Sequence, residues 1–130
     1  MKGSLEIRVR YCECDPMGVV HHTVYPVWFE MGRTELLRST GRSYRDMEQA
    51  GLFLAVVRMQ LNYRRPARYD DVVRLETTLH EVGHVKIGHS YELFRQDELL
   101  CSGSTTLACL DRQGRAQPLP EGILGVGAGA

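Results

Sequence analysis

Only one stretch of this 130-residue chain carries a sustained helical period, and strand-like segments lie on both sides of it. Val24, Val27, Trp28 and Met31 recur at helical spacing, the stripe continues through Leu36 and Leu37, and Gly41 supplies a stop. Thr23 stands at the N-cap position, and Pro26 is tolerated only in the first turn, where its missing N–H has no intrahelical partner. These constraints start the helix between His22 and Tyr25. Gly32 interrupts the apolar stripe at a cost of about 1 kcal/mol relative to Ala, so a strand wrapped on the helix is expected to approach closely there.

The rest of the chain reads with period two. Leu5, Ile7, Val9 and Tyr11 alternate with Glu6, Arg8, Arg10 and Cys12, which predicts a first strand with one buried face. Ser43 to Ala50 predicts a short helical turn before Gly51. Phe53, Ala55, Val57, Met59, Leu61 and Tyr63 then form one apolar face, ending at Arg64-Arg65-Pro66. Val73, Leu75, Thr77 and Leu79 alternate up to Gly83, Val85, Ile87, Tyr91 and Leu93 up to Gln96-Asp97, and Leu99 to Leu110 forms a last strand. One long helix after the first strand, followed by four strands in an antiparallel meander, predicts an α+β domain whose sheet curls around the helix. The whole chain, 1–130, reads as one domain of a length that buries a single core, with residues 121–130 as a flexible tail. Pro118, Pro120 and the Gly/Ala-rich end from Gly125 to Ala130 read as frayed.

Composition narrows the partners. Apolar residues at 43% and charged residues at 25% argue against disorder. Sixteen basic residues balance sixteen acidic ones, so the chain lacks the basic footprint of a nucleic-acid binder. No apolar run reaches the roughly 20 residues of a membrane span, and Met1 to Arg10 lacks the h-region of a signal peptide, so the chain is expected to be cytoplasmic. Its four cysteines are then expected as free thiols, with Cys12 and Cys14 as i, i+2 neighbours on one strand face. The paired Cys-x-x-Cys elements of structural zinc are absent, and no metal is expected.

The residues able to carry chemistry concentrate between Tyr11 and Tyr25. Asp15-Pro16-Met17-Gly18 predicts a defined turn just beyond the first strand, seven residues before His22 at the helix entry. A helix N-terminus presents unpaired N–H groups and about half a positive charge, so it favours an anion or a carbonyl oxygen that becomes one. A loop carboxylate beside a helix start makes a candidate acyl-transfer site. The same residues also admit plainer readings. Asp15 also reads as a turn residue alone, His21-His22 as a polar helix entry, and Tyr11 and Trp28 are most simply core aromatics.

The motif Tyr11-x-x-x-Asp15-x-x-Gly18-Val-Val-x-His22-x-x-Tyr25, followed by Trp28-Phe-Glu-x-x-Arg33-x-Glu35, resembles the 4-hydroxybenzoyl-CoA thioesterase family, in its YbgC-like acyl-CoA thioesterase branch. Tyr63-x-x-Pro66-Ala67-Arg68-x-Asp70-Asp71 is similar to the same family's segment between the second and third strands, and the likeness covers about residues 5 to 120. The resemblance implies a hotdog fold, with five antiparallel strands around a central helix. It also implies homodimers or homotetramers joined edge to edge, with active sites at the dimer interface.

On this resemblance Asp15 is nucleophile or general base on a thioester. The backbone N–H of His22 is the oxyanion donor, and Tyr11 and the His22 imidazole orient the reacting groups. Gly18, Tyr25, Trp28 and Met59 are expected at the substrate and acyl pocket. Arg64, Arg65 and Lys86 are expected at the coenzyme A phosphates, with Arg68 and His84 as further candidates. Gly83-His84-Val85-Lys86 departs from the basic cluster of the hydroxybenzoyl-type enzymes, which puts their mode of nucleotide binding in doubt. No cofactor is implied, coenzyme A being part of the substrate. A hotdog hydratase or dehydratase and a noncatalytic acyl-CoA-binding protein are the alternatives.

Overall fold

The computed structural model describes residues 1–120; the tail predicted at 121–130, including Gly125 to Ala130, lies outside them. Strand β1 (Lys2–Arg8) leads through a 3₁₀ turn at Tyr11–Glu13 to helix α1 (Val24–Arg38) and the short helix α2 (Tyr44–Gln49). Strands β2 (Phe53–Tyr63), β3 (Val72–Val82), β4 (Lys86–Arg95) and β5 (Glu98–Leu110) follow. The five strands form one antiparallel sheet in the order β1-β3-β4-β5-β2, with α1 packed on its inner face. This is the hotdog architecture.

Helix α1 begins where Thr23 and Pro26 require, but the Thr23 hydroxyl does not cap it. That hydroxyl instead meets His21 Nδ1 at 2.7 Å. The helix buries Tyr25, Trp28, Phe29, Gly32, Arg33, Leu36 and Leu37. A Cβ built on Gly32 would lie 2.4 Å from Thr77 Oγ1 and 2.6 Å from Leu75 Cδ2, so the glycine admits β3 as expected. Ser43 does cap α2, accepting from the Asp46 N–H.

The core is split by a polar layer that periodicity did not reveal. Phe29, Leu75, Tyr91 and Cys101 belong to one apolar cluster, and Leu37, Leu79, Ile87 and Leu107 to another. Between them, on α1, β3, β4 and β5 respectively, stand buried Arg33, Thr77, His89 and Thr105.

Four expectations need correction. The strands do not run as one meander: turns at Gly83 and Gln96-Asp97 pair β3, β4 and β5 in sequence, whereas β2 pairs with β5 at the far edge. The segment from Arg64 to Asp71 is too long for a tight hairpin and is bonded to Leu100, Val20 and Val9 at the end of the sheet. On β2 the single apolar face fails, because a bulge at Val57 shifts the register between Val56 and Arg58. Leu54 therefore packs on one core cluster and Leu61, an odd number of residues away, on the other. The first strand ends at Arg8, so Cys12 and Cys14 are not strand neighbours: one lies in the 3₁₀ turn and the other just after it. Finally, residues 116–119 are tied down: Gln117 N–H donates to Cys109 O, and Leu119 N–H to His84 O.

Candidate active site

A small hairpin carries the two principal candidates. Asp15 N–H donates to Val19 O, Cys14 pairs with Val20, and His21 N–H donates to Glu13 O at 2.9 Å, so arms 13–15 and 19–21 run antiparallel and deliver His22 to the start of α1. The turn between them is closed by Gly18 N–H on Asp15 O, and Gly18 takes φ +80°, a conformation that costs a side-chain-bearing residue strain. Asp15 Oδ1 accepts from Met17 N–H at 2.9 Å and from Val19 N–H at 3.4 Å. One carboxylate oxygen thus holds the turn, and Oδ2 is left without a protein donor among the described residues.

The helix entry is fixed from two directions. Val20 N–H donates to Ala67 O, and the Ala67 N–H donates to the phenol of Tyr25 at 3.3 Å. Tyr63 at the end of β2 donates its hydroxyl to His22 O at 2.9 Å and packs edge-on against Tyr25. The His22 N–H meets no protein acceptor among the described residues. The His22 ring lies tilted against that of His21, with ring centroids 4.3 Å apart. A cleft of about 240 Å³ opens here, lined by Val20, His22, Tyr25, Tyr63, Arg64 and Arg65 with Pro66. Burial pushes the phenols of Tyr25 and Tyr63 up, so both stay protonated at ordinary pH.

The other predicted residues divide. Arg64 and Arg65 reach the cleft, although Arg65 also pairs with Glu98 at 3.3 Å. Lys86 does not join them within one chain. It sits at the start of β4 beside Ala108, seven residues and on the order of 23 Å from the Leu93–Cys101–Tyr63 row. Arg68 bridges to Val19 through its backbone, and His84 lies near Lys86 in the β3–β4 turn. Met59 lies outside the cleft, four residues up β2 from Tyr63, and is 47% exposed. Trp28 is a core residue at 1% exposure and offers no surface to an acyl group within the chain. Tyr11 is not in the core: the strand stops before it, and its ring stands 80% exposed, edge-on to Tyr69.

Periodicity gives no signal for Glu13, which lies one residue past the alternation that ends at Tyr11 and Cys12. It is buried, and its carboxylate accepts the Trp28 indole N–H at 3.0 Å. No group of three or more His, Cys, Asp or Glu converges among the described residues. No helix among them is long and apolar enough to cross a membrane.

Residues 9–126 match the family model of the thioesterase-like superfamily. The chain belongs to that superfamily. This thioesterase-like chain is 32% identical over 117 residues to the acyl-CoA thioesterase YbgC of Haemophilus influenzae, covering 89% of this chain and 85% of that protein. The crystal structure of a DHNA-CoA thioesterase from Staphylococcus aureus superposes with a TM-score of 0.88 at 32% identity, over 91% of this chain and 80% of that one. TT1821, a hypothetical protein of Thermus thermophilus, superposes with a TM-score of 0.89 at 39% identity, over 95% and 93%. The hotdog fold and the YbgC-like resemblance expected from the motif both hold, and the chemistry of this thioesterase is thioester hydrolysis.

Proposed function

We propose that this thioesterase hydrolyses acyl-CoA between the Asp15 carboxylate and the first turn of α1. The observation that carries the reading is that the His22 N–H at the amino end of the helix meets no acceptor among the described residues, while His22 lines a cleft with Tyr25, Tyr63 and two arginines. Thioester hydrolysis passes through a tetrahedral oxyanion, and one preorganised N–H donor is worth roughly 3–4 kcal/mol in comparable sites. Asp15 Oδ1 is anchored by its turn and Oδ2 meets no donor among the described residues, which supports attack on the acyl carbon or activation of a water by that oxygen. The thiolate of coenzyme A leaves readily, so no strong general acid is required. Arg64 and Arg65 at the cleft mouth suit the phosphates of the nucleotide.

The reading includes a homodimer. Strand β2 lies at a sheet edge and leaves Val56, Val57, Met59 and Tyr63 exposed, an apolar rim that a monomer would bury against a second copy. Antiparallel pairing of two β2 edges about a two-fold axis would bring the start of one β2 beside the end of the other, and so bring the partner's Lys86 end of the sheet toward this cleft. Pairing of such dimers would give the homotetramer. No cofactor enters the mechanism, and a cytoplasmic location accords with a coenzyme A substrate.

Thiol release from a panel of acyl-CoA thioesters tests the reading. Asp15→Ala should lower turnover by about two to four powers of ten. A folded Asp15→Ala protein with wild-type turnover would reject it.

A further inference from the structure

The chemistry assigned above leaves the buried Glu13 without a role, yet this residue touches both of the pieces that must meet. Its Oε1 accepts the Arg10 backbone N–H at 2.7 Å. Its Oε2 accepts the Trp28 indole N–H at 3.0 Å and the Arg10 guanidinium at 3.3 Å. Its backbone carbonyl accepts the His21 N–H at 2.9 Å. Asp15 follows two residues later on the same arm, His22 follows His21 on the other, and Trp28 lies on α1 itself.

We propose that Glu13 is a positioning residue for thioester hydrolysis, its carboxylate clamping the Asp15 hairpin onto α1 so that Asp15 and the His22 N–H keep a fixed separation. The inference rests on the reading given under Proposed function. Burial by itself would raise the Glu13 pKa, but the donors from Arg10 and Trp28 together outweigh it and hold the carboxyl below its ordinary value. The clamp is therefore charged throughout the neutral range. Three donors converge on two oxygens with no competing donor of its own, an arrangement that glutamine cannot reproduce. A carboxamide has one acceptor oxygen, and its NH₂ must confront either the Arg10 backbone N–H or the Trp28 N–H together with the Arg10 guanidinium. Misplacement of a reacting group by about 1 Å costs up to a hundredfold in rate.

The test uses Glu13→Gln and Trp28→Phe in the full chain, with steady-state hydrolysis of an acyl-CoA that the wild type turns over. Trp28 is the only tryptophan, so its emission reports the clamp directly. Both variants should lose roughly tenfold to a hundredfold in kcat with KM within about threefold, and the double variant should lose no more than either single one. Glu13→Gln should also shift the tryptophan emission maximum. A folded Glu13→Gln protein with a lower Tm but wild-type kcat would overturn the proposal, because a purely structural role predicts that pattern. Should Glu13→Gln fail to fold, unchanged kcat in Trp28→Phe overturns it alone. Asp15→Ala run beside them separates the two ideas: full turnover in that variant sinks the catalytic reading, whereas loss there with normal kcat in the Glu13 variant sinks only the clamp.

Discussion

The phenol of Tyr63 donates a 2.9 Å hydrogen bond to the backbone carbonyl of His22, joining the last residue of β2 to the peptide that opens helix α1. The two residues are 41 positions apart in the chain. The bond fixes the carbonyl of the His22–Thr23 peptide, next to the His21–His22 peptide whose N–H meets no protein acceptor among the described residues. Tyr63→Phe keeps the ring on Tyr25 and removes only the hydroxyl, at a cost of about 0.5–1.5 kcal/mol. Acyl-CoA turnover should fall roughly threefold to tenfold with little change in fold. Steady-state kinetics with circular dichroism as a control decides it, and unchanged kcat would remove Tyr63 from the positioning of that peptide.

Gly32→Ala sets two effects against each other. Alanine favours a helix by about 1 kcal/mol over glycine. The new methyl would meet Thr77 Oγ1 and Leu75 Cδ2 far inside contact distance, and both side chains are buried on β3. Overpacking of this kind costs typically 1–3 kcal/mol, so the net change should be destabilising. Thermal or urea unfolding that finds the variant more stable than wild type would show that β3 can retreat.

His89 should make stability depend on pH between its folded and unfolded pKa values. Burial, then the nearby Arg33 and His80, lower its pKa from 6.5 to about 4. Below pH 6.5 the unfolded chain takes up a proton that the folded chain refuses until about pH 4, so stability is complete above 6.5 and declines as pH falls across that window. The full difference is roughly 3 kcal/mol. His89→Leu should flatten the Tm profile between pH 6.5 and 4 relative to wild type. Parallel profiles for the two proteins would exclude His89 as the source.

Charge on the exposed rim of β2 should separate the subunits. Val57→Lys with Met59→Lys puts two ammonium groups on residues that are 53% and 47% exposed in the single chain, so the monomer's core is untouched. Sedimentation should show monomers, and hydrolysis should collapse although Asp15 and His22 are intact. A fully active monomer would show that each chain carries a complete site.

How far the sequence could be read differs from element to element. Helix α1 was legible because its limits are local: Pro26 has no place beyond the first turn, and Gly32 tolerates no methyl against β3. Strands β3 and β4 were legible because alternation reports burial on one face, and Val73, Leu75, Ile87 and Leu93 are fully buried as that pattern requires. Strand β2 misled because a bulge at Val57 reverses which residues face inward, and a bulge has no periodic signature. Tyr11 misled because it continues the alternation of β1 past the point where the backbone turns into a 3₁₀ helix.

The sequence by itself determined the element types, the turn that holds Asp15 and the family, because each rests on residues close together in the chain. Only the tertiary structure decided that β2 lies at the far edge beside β5, that Lys86 stands at the opposite end from Arg64, and that Glu13 is anchored to Trp28. Those facts arise from pairings between distant residues, in which the energy of hydrogen bonding and burial depends on which partner the fold supplies, and a linear pattern does not encode that choice.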